Sequence, residues 1–227
     1  MSTAVFDRLA ATYDERWTNA PIGRAQRDQV WRVIDPLFRP GDRILDFGCG
    51  TGEDAAHLAS RGAIVHAIDP SPAMVREAAR RGGFTAAVGD IPNGRYDGVL
   101  SNFGAINCVE DLSALAAQLA GVVRPGGVAA LCVMGRFCIW EPLRRIRGSA
   151  PSSLGIHVRY PTVAEIRRAF AEFHCVRWIG VGLCVPPSYV RMPQAVVRVA
   201  AALDRVLARL PVLRSMADHR LLILVRK

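Results

Sequence analysis

Lysine is almost missing from this chain: Lys227 is the only one among 29 lysine and arginine residues. Arginine used to that degree reflects coding bias, so the formal net charge of +9 is not by itself a nucleic-acid footprint. The arginines are dispersed. The densest groups, Arg144, Arg145 and Arg147, and Arg159 with Arg167 and Arg168, are not interleaved with a repeat of stacking aromatics. Nucleic acid is therefore not an expected partner. Cysteine pairs are missing too. The six cysteines, at 49, 108, 132, 138, 175 and 184, form no CxxC, and no histidine cluster completes a zinc pattern. Free thiols in a reducing cytoplasm are expected, with no metal. No apolar run is long enough to span a bilayer. Met1 to Asp7 has no basic segment leading into an apolar stretch, so no signal peptide is expected. There is no internal repeat and no low-complexity tract.

What is present is core material, with 51% hydrophobic and 22% charged residues over 227 positions. That length and composition fit one large α/β domain. Helical patterns at 4–17 and 22–38 precede an apolar strand at 43–47. Helices at 53–61, 71–81 and 112–123 then alternate with strands at 63–69, 84–88, 96–101 and 127–134, the last preceded by an Arg-Pro-Gly-Gly turn at 124–127. Such alternation predicts a doubly wound, mostly parallel sheet covered on both faces. Beyond 134 the pattern loosens. A helix at 162–173, a glycine-kinked strand at 175–185, a proline-framed break at 186–193, a helix at 194–210 and a strand at 221–226 complete it. The whole chain reads as one domain. Residues 1–40 form lid helices, 41–134 a ligand-binding core, and 135–227 a substrate-side half with a helical insertion at 186–216.

The first strand runs into Asp46-Phe-Gly-Cys-Gly-Thr-Gly52. Glycines between a first strand and a first helix let the backbone approach a ligand at the carboxyl end of the sheet. The spacing is G-x-G-x-G rather than the dinucleotide G-x-G-x-x-G. Asp46 precedes the glycines and Glu53 and Asp54 follow them, acids that would repel a pyrophosphate at a helix start. A ligand carrying ammonium and sulfonium charges, S-adenosylmethionine, suits them better. Asp69 ends the second strand, placed to accept both hydroxyls of a ribose. Asp90, after Gly89, offers an acceptor to an adenine amino group, with Met74 and Ile91 against the ring.

Together these segments resemble the class I S-adenosylmethionine-dependent methyltransferases over about residues 6–134. Asp46, Gly48, Cys49 and Gly50 fall in what looks like the family's first motif, Asp69 looks like its ribose acid and Gly89-Asp90 like its adenine motif. Residues 96–112, with Asn102 and Phe103, are similar to its fourth-strand motif. The opening helix is similar to that of many small-molecule members and implies that Tyr13 closes over the methionine end of the cofactor. The resemblance implies a seven-stranded, Rossmann-like sheet. Asn-Phe-Gly-Ala at 102–105 departs from the N-P-P-Y pattern of many amide and base N-methylating branches. There is no paired-cysteine arrangement for methylating a pyrimidine carbon, and Glu110-Asp111 is all that hints at a catechol-type metal site.

Methyl transfer to a small, partly apolar molecule is the expected function. The alternatives are an RNA- or lipid-directed methyltransferase, a nicotinamide-dependent oxidoreductase and a non-catalytic cofactor-binding module. Glu141, His157, Tyr160, Tyr189 and His219 are candidate bases, needed only if the acceptor has a proton to lose. Trp17, Asn107, Trp140 and Tyr189 are candidate pocket walls, with Cys108 as filler. The N-terminal helices, with Trp17, Ile22 and Arg27, and the 186–216 insertion are expected to pack together over the methyl group as a lid. On the helix at 194–210, Val196, Val199, Leu203, Val206 and Leu210 share one face, while Arg198, Arg205 and Arg209 share another. We expect the apolar face to pack on the domain, as on any surface helix. The other possibility is peripheral contact with a membrane or lipid. Oligomeric state is left open.

Overall fold

The computed structural model describes residues 3–140, 158–188 and 190–227. Of the candidate site residues named above, Glu141, His157 and Tyr189 lie outside these, as do Arg144, Arg145 and Arg147.

Two helices open the chain: α1, Ala4–Tyr13, and α2, Pro21–Ile34, joined by a widened helical turn at Asp14–Thr18. The core follows with β1 (Arg43–Phe47), α3 (Glu53–Ser60), β2 (Ile64–Asp69), α4 (Pro72–Arg81), β3 (Thr85–Val88) and β4 (Tyr96–Ser101). Next come α5 (Leu112–Val122), β5 (Val123–Met134), α6 (Val163–Ala169), β6 (Phe173–Val181), α7 (Gln194–Leu207) and β7 (His219–Arg226). The order in the single seven-stranded sheet is β3-β2-β1-β4-β5-β7-β6. Strands β1 to β5 pair in parallel, and β7 is antiparallel to both β5 and β6. The expected α/β doubly wound sheet is therefore present.

The central strands are apolar without alternation because both their faces are covered. Successive side chains go to opposite sides. Leu45, Val99, Leu131 and Leu222 join one core with Tyr96, Leu119 and Phe170. Their neighbours Ile44, Leu100, Cys132 and Ile223 join the other, with Ile34 of α2 and Leu58 of α3. Each such side chain contributes about 1.5–3 kcal/mol by leaving water.

Several boundaries depart from the sequence pattern. Arg124 to Gly127 do not form a separate turn before β5. They are bulged out of a longer strand, since Tyr96 pairs with Val123 while Gly98 pairs with Val128. The kinked strand expected at 175–185 stops at Val181, where Gly182 takes φ +74°.

The larger departure is in α7. Its expected core-facing stripe is exposed: Val196, Val199, Leu203, Val206 and Leu210 all face outward. The helix packs instead through Val197, Ala200, Asp204 and Ala208. Val197 and Ala200 meet Ile22 of α2 and Val185. The narrower set of small residues wins because α2 lies close, and a valine or leucine stripe would hold the two helices apart.

Candidate functional site

Strand order reverses between β1 and β4, which opens a crevice at the carboxyl end of the sheet. A cavity of about 460 Å³ occupies it. The turn after β1 forms its floor. Gly48 and Gly50 take φ +75° and +53°, conformations that side chains rarely adopt. A Cβ on Gly48 would come within 2.2 Å of the Ala105 Cβ, whereas one on Gly50 would meet no protein atom within 4 Å. Gly50 is bare toward open space in the cavity wall, and there a ligand can touch the backbone.

Asp69 secures this turn. One carboxylate oxygen accepts from the Gly50 N–H at 3.0 Å, the other from the Ser71 N–H at 2.8 Å. Each oxygen keeps a further acceptor position. Burial raises the Asp69 carboxyl above its ordinary value, and those backbone donors oppose the rise. Asp46 lies lower. It is 1% exposed, is absent from the cavity wall, and has one oxygen without a partner. Burial, then the nearby Asp54, pushes its carboxyl well above the ordinary range. The expected direct contact from Asp46 is therefore corrected to a buried acid beneath the site.

The acids after the glycines are paired. Glu53 meets Arg24 and Arg81, both at 2.6 Å, and Asp54 meets Arg27. Repulsion of a pyrophosphate by these acids is thus not what distinguishes the site. Asp54 also accepts from Trp31 Nε1 at 2.7 Å and Asn102 Nδ2 at 3.1 Å. Arg27 stays charged despite burial because Asp54 faces it. Its guanidinium lies 5.0 Å from the centre of the Phe103 ring. Phe103 has φ +47°, strained for a non-glycine residue, and its N–H bonds the Asn102 side chain at 3.0 Å.

The roof comes from α1 and the turn after it. The widened turn closes through Asn19 N–H to Asp14 O at 2.7 Å, and it carries Trp17 beside Tyr13, ring centres 4.8 Å apart. Both line the cavity with Phe6 and Leu9. The roof is tied to the floor on two sides. Thr51 Oγ1 donates to Asp14 at 2.6 Å, and Ser71 Oγ donates to Asp7 at 2.6 Å. Burial raises the Tyr13 hydroxyl, against the pull of Arg27.

Of the expected cofactor residues, Tyr13, Gly48, Cys49, Gly50, Asp69, Met74, Asn102 and Phe103 line this one cavity. Asp90 is exposed and Ile91 half-buried, and neither is on the cavity wall, although Gly89 is. Ile91 packs on the α5 side of the core. Of the expected wall residues, Trp17 is in place. Asn107 and Trp140 are not. Asn107 is fully buried and spends its amide on the backbone: Nδ2 donates to Arg159 O at 2.6 Å and Met134 O at 3.1 Å, and Oδ1 accepts from Met134 N at 2.8 Å. It pins the end of β5, and Cys108, expected as filler, faces the cavity instead. Trp140 donates its Nε1 to Leu183 O at 2.9 Å. Among the base candidates, Tyr160 and His219 reach the wall.

Sequence reasoning missed Gln26 and Asp218 and gave Arg27 only a lid role; all three line the cavity. Gly23, Gln26 and Arg27 fall at helical spacing on one face of α2. A polar patch on the buried side of a helix is the signal that would have found them. Asp218 and His219 are adjacent at the start of β7, and only the antiparallel return of that strand brings them to the cavity. His219 Nδ1 lies 3.2 Å from the Asp218 carboxylate, out of line for a hydrogen bond, and its ring meets Phe103 edge-on at 5.2 Å. No described group of His, Cys, Asp and Glu has metal-binding geometry, and the cysteines form no disulfide. No described helix is long and apolar enough to cross a membrane.

This sheet order and a glycine turn joined to an acid at the end of β2 define a Rossmann-like methyltransferase architecture. The methyltransferase domain family matches residues 22–176, more than half of the chain. The chain belongs to that family, within the class I S-adenosylmethionine-dependent methyltransferases, which confirms the resemblance read from its motifs. It is 34% identical over 170 residues to a demethylmenaquinone methyltransferase of Parafrankia, covering 62% of this chain and 65% of that protein. It is 39% identical over 137 residues to the nocamycin O-methyltransferase of Saccharothrix syringae, covering 54% of this chain and 47% of that protein. The chain thus spans less than two thirds of the length of these curated relatives. The crystal structure of magnesium protoporphyrin IX methyltransferase from Synechocystis with bound SAH shares the fold over 100% of both chains, at TM-score 0.66 and 22% identity.

Proposed function

We propose that this chain transfers a methyl group from S-adenosylmethionine to a hydroxyl of a small, mainly apolar molecule. The observation that carries the reading is a single cavity lined by two unlike groups of residues. Asp69, the bare Gly50 and Met74 make one group, and His219 and Asp218 with Phe103, Met134 and Tyr160 make the other.

The donor set fits the cofactor. Asp69 has acceptor positions left for a ribose diol, Met74 is an apolar neighbour for the adenine, and Tyr13 covers the methionine end. When bound, the cofactor supplies an already activated methyl group on a sulfonium. The protein's work is then alignment and exclusion of water, and alignment alone is worth up to about 7–11 kcal/mol. Tyr13 and Trp17 close the cavity from above. Arg27, held by Asp54, braces Phe103 from below.

His219 takes the acceptor's hydroxyl proton. Asp218, 3.2 Å from Nδ1, lies close enough to steady the charged ring, and Nε2 is assigned as the nitrogen that takes the proton. The curated relatives named above act on a demethylmenaquinone and on nocamycin. The apolar wall of Phe6, Leu9, Phe103 and Met134 is consistent with an acceptor of that general character. The lid reading, with residues 1–40 and 186–216 as one roof, is supported by the packing of α2 on α7 and by Pro187 and Ser188 in the cavity wall.

Titration calorimetry with S-adenosylmethionine, its demethylated product and NAD tests the cofactor half. Preference for NAD would overturn it. Incubation with labelled cofactor and fractionated metabolite extracts tests the acceptor half. Label appearing only on an amine, or only on RNA, would refute the hydroxyl assignment.

A further inference from the structure

The outward stripe of α7 is the densest collection of exposed large apolar side chains on the described surface. Val199, Val206 and Val212 are 62%, 65% and 74% exposed, and Val196, Leu203 and Leu210 accompany them. The spacing of Val196, Val199, Leu203 and Val206 sets them in one row along the helix, and Leu210 and Val212 follow in the turn after it.

The helix is not free to roll and bury this row. Its opposite face carries Asp204, 1% exposed, whose carboxylate accepts from the backbone N–H groups of Cys184 at 2.6 Å and Val185 at 3.3 Å. Val197 and Ala200 are fixed against Ile22 and Val185 on the same side. Turning the stripe inward would strip a buried carboxylate of its donors.

The charge around the stripe has one sign. Between 190 and 216 the only acid is Asp204, which is consumed inside. Arg191, Arg198, Arg205 and Arg209 are exposed, and the last three run along one flank of the stripe. A second copy packed antiparallel on the stripe would bring arginine row against arginine row, and one packed parallel would leave both rows without acid partners from this segment. A surface of phosphate headgroups over acyl chains complements both features at once. We infer that α7 is an interfacial helix that docks this protein on an anionic lipid bilayer. The valines and leucines enter the headgroup–acyl boundary, and the arginines bond lipid phosphates. Docking there puts the cavity roof at the bilayer, because Pro187 and Ser188 lead into α7 and α2 packs beneath it.

The test is co-sedimentation of the full chain with vesicles of phosphatidylcholine alone and of phosphatidylcholine with phosphatidylglycerol, at low and at physiological salt. The expected result is partition onto the anionic vesicles, weakened by salt. Val199→Asp with Leu203→Asp, and separately Arg198→Glu with Arg205→Glu, should each lower it at least about tenfold. All four side chains are exposed, so melting temperatures should match the parent. Three results would overturn the inference. One is a parent chain that stays in the supernatant with both vesicle types. Another is stripe variants that bind as the parent does. The third is a parent that light scattering shows to be a dimer, converted to monomer by the stripe variants, with no vesicle binding.

Discussion

The Gly50 N–H donates to the Asp69 carboxylate at 3.0 Å, which joins the turn after β1 to the end of β2. The acid proposed to bind the ribose therefore also sets the shape of the turn that the ligand lies against. Asp69→Ala should weaken S-adenosylmethionine binding by about 10- to 100-fold, on the order of 1.5–3 kcal/mol for a lost hydrogen-bonded charge. Asp69→Asn keeps one acceptor oxygen and should fall in between. Calorimetry reads both, and an unchanged affinity in the alanine variant would remove Asp69 from the site.

Arg27 and Asp54 form a pair whose side chains are 11% and 8% exposed. Breaking such a pair leaves a buried charge alone. Arg27→Met should destabilise the fold by about 3–5 kcal/mol, toward the lower figure because Trp31 and Asn102 still donate to Asp54. Adding Asp54→Leu should restore only part of that loss, because it removes the stranded carboxylate but leaves the Trp31 and Asn102 donors unpaired. Denaturant midpoints for the single and double variants check both statements. A single variant as stable as the parent would mean that the pair contributes nothing.

Removing the base candidate should separate binding from chemistry. His219→Gln should retain cofactor affinity and lower turnover by about 10²- to 10⁴-fold once the acceptor is known. Asp218→Asn should lower it less, through the ring it steadies. Normal turnover in the His219 variant would show that the acceptor needs no base or uses another.

Asp46 gives a pH signature. Its folded value lies well above the ordinary 3.8, because burial and Asp54 disfavour the charged form. The stability it contributes is fully present below the unfolded value and is lost as pH rises through the raised one. Asp46→Asn should therefore gain on the parent as pH climbs from about 4. Each pH unit crossed between the two values is worth about 1.4 kcal/mol. Urea midpoints from acid to neutral pH measure the difference, and a difference that does not change with pH would contradict the buried-acid assignment.

The strands, the glycine turn and the acid at the end of β2 were legible in the linear sequence because each is encoded locally. An apolar run, glycines needing positive φ and an acid at a strand end all lie within a few residues of one another. Trp17 and Met74 reached the cavity for the same reason, since each sits at a fixed offset from an element that forms by its own pattern, and Tyr13 is where the family resemblance put it. Tertiary structure decided the rest. Asp90 stays outside the cavity and Asn107 is spent on Met134 and Arg159, because strand-end loops turn in directions that the sequence does not specify. Asp218 and His219 reach the site only because β7 returns antiparallel between β5 and β6. In α7 the sequence determined that one face is apolar. Which face meets the protein was settled by close approach to α2 and by the donors that fix Asp204, two constraints that no periodicity carries.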